Sequence, residues 1–300
     1  MTGLAWPEPA PPLRIESFFD EATNSVSYLI ADLPTRAAAV IDAVLDFDLA
    51  SGKIATASAD RILNSAEQQG LEIRWILETH VHADHLSAGA YLKQRTGAQT
   101  AVGKGILEVQ RTFAPIVGAE GMALDGREFD RLLNDGERLP LGSREIEVMA
   151  TPGHTPACVT YLVGDAAFVG DTLFMPDYGT ARCDFPGGNA RTLYRSMQKI
   201  LSLPPETRLF LCHDYKAPGR DTFAWETTVA EQRERNIHIG GGVEEEAYVA
   251  MRQARDATLK VPKLLYPAIQ VNMRGGRLPK PVGGRRFIKL PVDAPDGLAD

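Results

Sequence analysis

Cysteine is scarce in this 300-residue chain, and so are long apolar runs and any excess of positive charge. The three cysteines, Cys158, Cys183 and Cys212, are odd in number and widely separated, which argues against a disulfide framework and for a reducing cytoplasm. No stretch approaches the roughly 18 consecutive apolar residues of a membrane span. The opening MTGLAWPEPAPPLRIESF has neither a basic head nor an apolar run, so it does not read as a secretory signal. Lys and Arg number 32 against 39 Asp and Glu, a formal net charge of −7. An acidic chain is a poor partner for polyanions, so nucleic acid is not expected as a ligand. What is there is ordinary globular composition, 44% hydrophobic and 24% charged, in a chain long enough to bury a large core.

Past a proline-rich lead-in, Arg14–Phe19, Ser25–Ala31 and Ala37–Asp42 are short apolar-rich runs suited to successive strands. Ala59–Gln69 has helical spacing and stops at Gly70; Ile73–Leu77 then reads as a buried strand running into Glu78-Thr79-His80. A helix is expected over Asp84–Arg95, stopped by Gly97. Further strands are expected at Ile146–Ala150, Cys158–Val163, Ala167–Val169 and Arg208–Cys212, with helices at Arg191–Leu201, Thr222–Arg235 and Val243–Leu259. A proline- and glycine-rich tail follows. No short repeat is present, which excludes a solenoid. Strands followed by helices, twice over, suggest two sheets between helix layers, a pattern shared by several α/β sandwiches.

Five of the six histidines fall at strand ends or in turns: His80, His82, His85, His154 and His213. Three lie within His80-Val81-His82-Ala83-Asp84-His85. At a strand end, His80 and His82 share a face, because alternate side chains do. Buried imidazoles need a partner for each ring nitrogen, and a metal supplies one where crowding leaves no room for others. Thr151-Pro152-Gly153-His154 presents a histidine from a rigid turn, and Phe168-Val169-Gly170-Asp171 ends an apolar strand in a carboxylate. Leu209-Phe210-Leu211-Cys212-His213 adds another strand-end ligand.

This order of HxHxDH, PGHT, GDT and a late strand-end histidine, over about residues 14–240, resembles the metallo-β-lactamase superfamily. The resemblance implies an αββα sandwich with metal at the sheet edges, as one domain over residues 1–300 whose last part, 241–300, is a C-terminal helix and extended tail. His80, His82 and His154 match that superfamily's first metal site; Asp84, His85 and His213 match the second, with Asp171 able to bridge.

One scaffold serves many reactions, so the fold does not settle the function. The finer resemblance is to the persulfide dioxygenases and the bacterial β-lactamase-like hydrolases. It is carried by Thr79–Ser87, by Gly170–Phe174 with Arg182-Cys183-Asp184-Phe185, by His213-Asp214-Tyr215 and by Gln270–Gly276. It implies one Fe(II) per chain held by His80, His154 and Asp171, with persulfide and O2 as substrates and sulfite and thiol as products. A two-histidine, one-carboxylate set leaves open positions for both substrates. The alternative is a glyoxalase II-like thioesterase, with zinc or a mixed dinuclear site on the same residues and a bridging hydroxide. The short interval from His154 to Asp171, and a C-terminal region unlike the glutathione-binding domain of glyoxalase II, weigh against it. A metal-binding protein without turnover would be favoured by a missing ligand, and none is missing.

The cysteines read as small hydrophobes, with Cys183 the one nearest a substrate loop. Arg182 is equally suited to an ion pair with Asp184 and to a substrate. Tyr215, Lys216 and Arg220 are candidates for holding the carboxylates of a glutathione-like thiol. His238 is expected on a helix surface. A sulfurtransferase is a candidate partner, and a homodimer is the default assembly.

Overall fold

A computed structural model describes residues 13–293. The first half runs β1 (Arg14–Asp20), β2 (Ser25–Asp32), β3 (Ala37–Ile41), β4 (Val44–Asp48), β5 (Lys53–Ala55), α1 (Ala57–Gln68), β6 (Glu72–Glu78), β7 (Leu86–Ser87), α2 (Gly89–Thr96), β8 (Gln99–Gly103), α3 (Ile106–Ile116) and β9 (Arg131–Leu133). The second runs β10 (Arg138–Leu141), β11 (Arg144–Ala150), β12 (Val159–Val163), β13 (Ala166–Phe168), α4 (Ala190–Leu201), β14 (Arg208–Phe210), β15 (Glu226–Thr228), α5 (Val229–Arg235), α6 (Glu245–Asp256) and α7 (Leu265–Asn272).

Two six-stranded mixed sheets, β1-β2-β3-β6-β8-β9 and β10-β11-β12-β13-β14-β15, face each other, with a small sheet β5-β4-β7 beside them. The apolar runs are continuous because both faces of each sheet are covered. Along β2, Val26, Tyr28 and Ile30 enter the core between the sheets, where Tyr161 and Phe168 of the second sheet meet them. The alternate residues Leu29 and Ala31 pack outward against Ile62 of α1, Leu92 of α2 and Val271 of α7. On the far side Ala167 and Leu209 pack against Leu193 of α4, Val229 of α5 and Tyr248 of α6. This is the αββα sandwich, as expected.

Strand and helix bounds differ from expectation in three informative places. Asp84–Arg95 is not one helix: Leu86–Ser87 pairs with Val44–Leu45 as β7, and the helix starts only at Gly89. Thr222–Arg235 is likewise split. Glu226–Thr228 pairs with β14, and Thr228 then opens α5 through a reciprocal capping box with Glu231. The tail is not wholly extended, because Leu265–Asn272 buries most of its residues as α7.

His238 also departs from the expected helix surface: it lies in a turn and is buried. Thr180 donates its backbone N–H to His238 Nδ1 at 3.0 Å, which makes the ring a neutral acceptor. Burial, with help from Arg252 and Arg255, pushes its pKa down to about 4. An unfolded histidine titrates near 6.5, so between those values the unfolded chain binds more protons. His238→Gln is therefore expected to cost about 1–3 kcal/mol at pH 7. Its deficit against wild type should shrink as the pH falls through that window, as read by urea denaturation at each pH. A pH-independent difference would contradict this placement.

Candidate metal centre

Every candidate ligand leaves a strand at the same edge of the sandwich. His80, His82, Asp84 and His85 follow β6, His154 follows β11, Asp171 follows β13 and His213 follows β14. Hydrogen bonds across the two sheets clamp these strand ends. Tyr161 donates its hydroxyl to Glu78 O at 2.8 Å, just before His80, and Tyr28 donates to Leu211 O at 2.5 Å, just before His213. Two glycines are required. A Cβ on Gly170 would lie 2.5 Å from Thr79 Oγ1, and one on Gly153 only 2.3 Å from Leu193 Cα. Both also have positive φ, at +53° and +141°, which a side chain would strain.

The imidazoles are oriented the same way throughout: one ring nitrogen is tied to the protein and the other is turned to the cluster. His80 Nδ1 pairs with Thr79 Oγ1 at 3.0 Å, His154 Nδ1 with Arg182 O at 2.7 Å and His213 Nδ1 with Asn24 O at 3.1 Å. His82 is reversed: its Nε2 meets Asp42 Oδ1 at 3.0 Å. His85 Nδ1 lies 3.2 Å from Ser25 Oγ. The remaining nitrogens, His80 Nε2, His82 Nδ1, His85 Nε2 and His213 Nε2, are buried without a hydrogen-bond partner, as is Asp171 Oδ1. Orphaned buried nitrogens converging from several loops are costly unless a cation joins them. The donor set fits a metal.

His80, His154 and Asp171 bring ligand atoms within 4.8 Å of one another. Asp171 Oδ2 stands 3.8 Å from His80 Nε2 and 3.7 Å from His154 Nε2, while Oδ1 faces His213 Nε2 at 3.3 Å. His82, Asp84 and His85 form a second such group, and Asp84 Oδ2 is 3.4 Å from His213 Nε2. Burial and the neighbouring His82 and His154 push His80 well below the usual histidine range. His213 goes the other way, because Asp171 and Asp84 outweigh its burial and favour the imidazolium. A cation bound here would displace that proton, so metal affinity falls with pH.

Beside the cluster lies a cavity of about 240 Å³, lined by Asp84, His154 and Asp171 and walled by Phe174, Tyr178, Phe185 and Tyr215. Tyr215 stacks on His213, its ring 17° from parallel. Arg182 lines the cavity but grips Asp184 with two bonds of 2.6 Å and Lys260 O with a third, so the ion pair is built. Lys216 and Arg220 are not among the lining residues. The Lys216 ammonium lies over the Phe223 ring, and Arg220 pairs with Asp177 and Asp214. All three cysteines are buried free thiols, and Cys183 is held by its backbone N–H on Asp256.

Sequence reasoning missed the supports of the site. Asp42, at the end of β3, holds His82 and Thr79, although an apolar strand ending in aspartate is the signal already used for Asp171. Asn272 of α7 donates to His82 O at 2.9 Å and His85 O at 2.8 Å, and accepts from Ser87 N. Gln270–Gly276 thus backs the ligand loop. Arg252 and Arg255 of α6 line the cavity and went unnoticed because helical charges read as solvent-facing.

Comparison with known proteins agrees with this geometry. The family model described as the metallo-beta-lactamase superfamily matches residues 20–213. A "Probable metallo-hydrolase" of Burkholderia pseudomallei is 54% identical, over 94% of this chain and 100% of that protein. "Glyoxylase B2" of Dictyostelium discoideum is 46% identical over 93% and 97%. The human mitochondrial "Persulfide dioxygenase ETHE1" is 29% identical over 88% and 89%. The crystal structure of ETHE1 from Myxococcus xanthus superposes with a TM-score of 0.71 at 29% identity, covering 88% of this chain and 100% of that one. With its sandwich, its strand-edge ligands and these matches, the chain belongs to the metallo-beta-lactamase superfamily.

Proposed function

We propose that this protein is a persulfide dioxygenase using one Fe(II) per chain, held by His80, His154 and Asp171. It would oxidise glutathione persulfide or a similar low-molecular-weight persulfide in cytoplasmic sulfide detoxification. One observation carries the reading: Asp171 faces His80 and His154 with one oxygen and His213 with the other. A carboxylate that holds a metal through one oxygen while the other meets the His213 ring suits a single iron. Asp84, His85 and His213 then serve as hydrogen-bonding support. Bound iron would supply the redox chemistry with O2 that no side chain offers.

The residues of the chain supply the rest. One persulfide, one O2 and one water give thiol, sulfite and two protons. Phe174, Tyr178, Phe185 and Tyr215 wall the cavity with aromatic surface and restrict water around the reacting sulfur. Thr79, Asn24 and Arg182 O fix the rings of His80, His213 and His154. A sulfurtransferase would be a fitting source of the persulfide.

A second reading has its own support. The His82, Asp84 and His85 group could hold a second metal, and the Dictyostelium relative bears the name of a glyoxylase. Two metals would polarise a thioester carbonyl and position hydroxide. Both readings are tested on one preparation purified without added metal. About one iron per chain, with O2 uptake and sulfite from glutathione persulfide and little hydrolysis of S-lactoylglutathione, is expected. Two tightly bound zinc ions and oxygen-indifferent thioester hydrolysis would overturn the dioxygenase in favour of the thioesterase.

A further inference from the structure

We propose that Arg255, in the last turn of α6, is the carboxylate anchor that selects anionic small thiols for this site. The proposal rests on the persulfide reading above and specifies how its substrate is held. His154 and Asp171 are buried and form the floor of the cavity, whereas Arg255 and Leu259 are exposed and form its mouth. A ligand whose sulfur reaches the floor therefore carries its other end past Arg255.

The neighbouring cations are already committed. Arg182 is spent on Asp184 and Lys260 O, and the buried Arg252 on Asp256 and Thr180 O. Arg220 is bound to Asp177 and Asp214, and Lys216 covers Phe223. Of the three cationic side chains that line the cavity, only the Arg255 guanidinium has no hydrogen-bond or ion-pair partner from the described residues. Its planar guanidinium can take a carboxylate with two parallel hydrogen bonds, which an ammonium cannot. The class of ligand is thus a low-mass thiol bearing a free carboxylate.

The test is calorimetric binding of glutathione, and of its diethyl ester, to the metal-loaded enzyme. Arg255→Ala is expected to weaken glutathione about tenfold, the size of a charge-assisted pair at a half-open site. The ester should bind wild type and variant alike, Arg255→Lys should recover part of the loss, and Arg255→Glu should be worse than alanine. With glutathione persulfide, the loss in kcat/KM should fall on KM. Unchanged glutathione affinity in Arg255→Ala, an equal loss for acid and ester, or no binding of glutathione to the wild type would each overturn the anchor. Arg255-dependent glutathione binding in a protein that makes no sulfite would instead retain the anchor and remove the dioxygenase reading.

Discussion

Asp171→Ala is expected to yield a folded protein that retains no metal and turns over no substrate. The carboxylate is the one anionic member of the group with His80 and His154, and both histidine nitrogens stand within 3.8 Å of its Oδ2. A methyl group can neither donate electron pairs nor balance the charge of a divalent cation. Loss of residues that merely orient ligands commonly costs 10–100-fold in metal affinity, so loss of the ligand itself should exceed about 100-fold. Asp171→Asn keeps the shape but not the charge and should fall between. Elemental analysis after dialysis, with circular dichroism to confirm folding, gives the readout. Full metal occupancy and activity in Asp171→Ala would remove this residue from the site.

The second large effect concerns stability and lies in α6. Arg252 is 1% exposed, and its guanidinium is held by Asp256 at 2.6 Å and by Thr180 O at 3.0 Å. Asp256→Ala would leave that charge buried and uncompensated, a loss of about 3–5 kcal/mol. For a chain of this size the melting temperature should fall by about 10 °C. Asp256 also accepts from Cys183 N, in the loop whose Arg182 O orients His154. The variant should therefore lose metal affinity as well as stability. The double change Arg252→Met with Asp256→Ala removes the orphaned charge and should recover much of the melting temperature. An Asp256→Ala protein as stable as wild type would show that the pair is solvated.

The elements whose chemistry is local were legible in the sequence. β2, β3, β6 and α4 declare themselves through apolar runs or helical periodicity, and the clustered histidines through crowding beside glycine and proline turns. What stayed hidden depends on partners distant in the chain. Leu86–Ser87 carries helix-like composition but is drawn into pairing by Val44–Leu45. His238 looks like surface until Thr180, 58 residues earlier, is seen to claim its ring. Lys216 and Arg220 carry the charge a substrate pocket wants, and nothing local in the sequence marks Asp177 and Asp214 as the groups that take up Arg220.

The clamp that Asn272 places on the ligand loop has a consequence for how the protein is born. His82 and His85 are translated early, yet the backbone carbonyls of both wait for the amide of a residue 190 and 187 positions later. A chain emerging from the ribosome folds its N-terminal portions first, at some 5–20 residues per second. The first sheet can therefore assemble on the ribosome, but the loop that carries His80, His82, Asp84 and His85 lacks this clamp until α7 has been made. Metal delivered during synthesis would meet a half-built cradle, so capture is expected only after α7 has emerged.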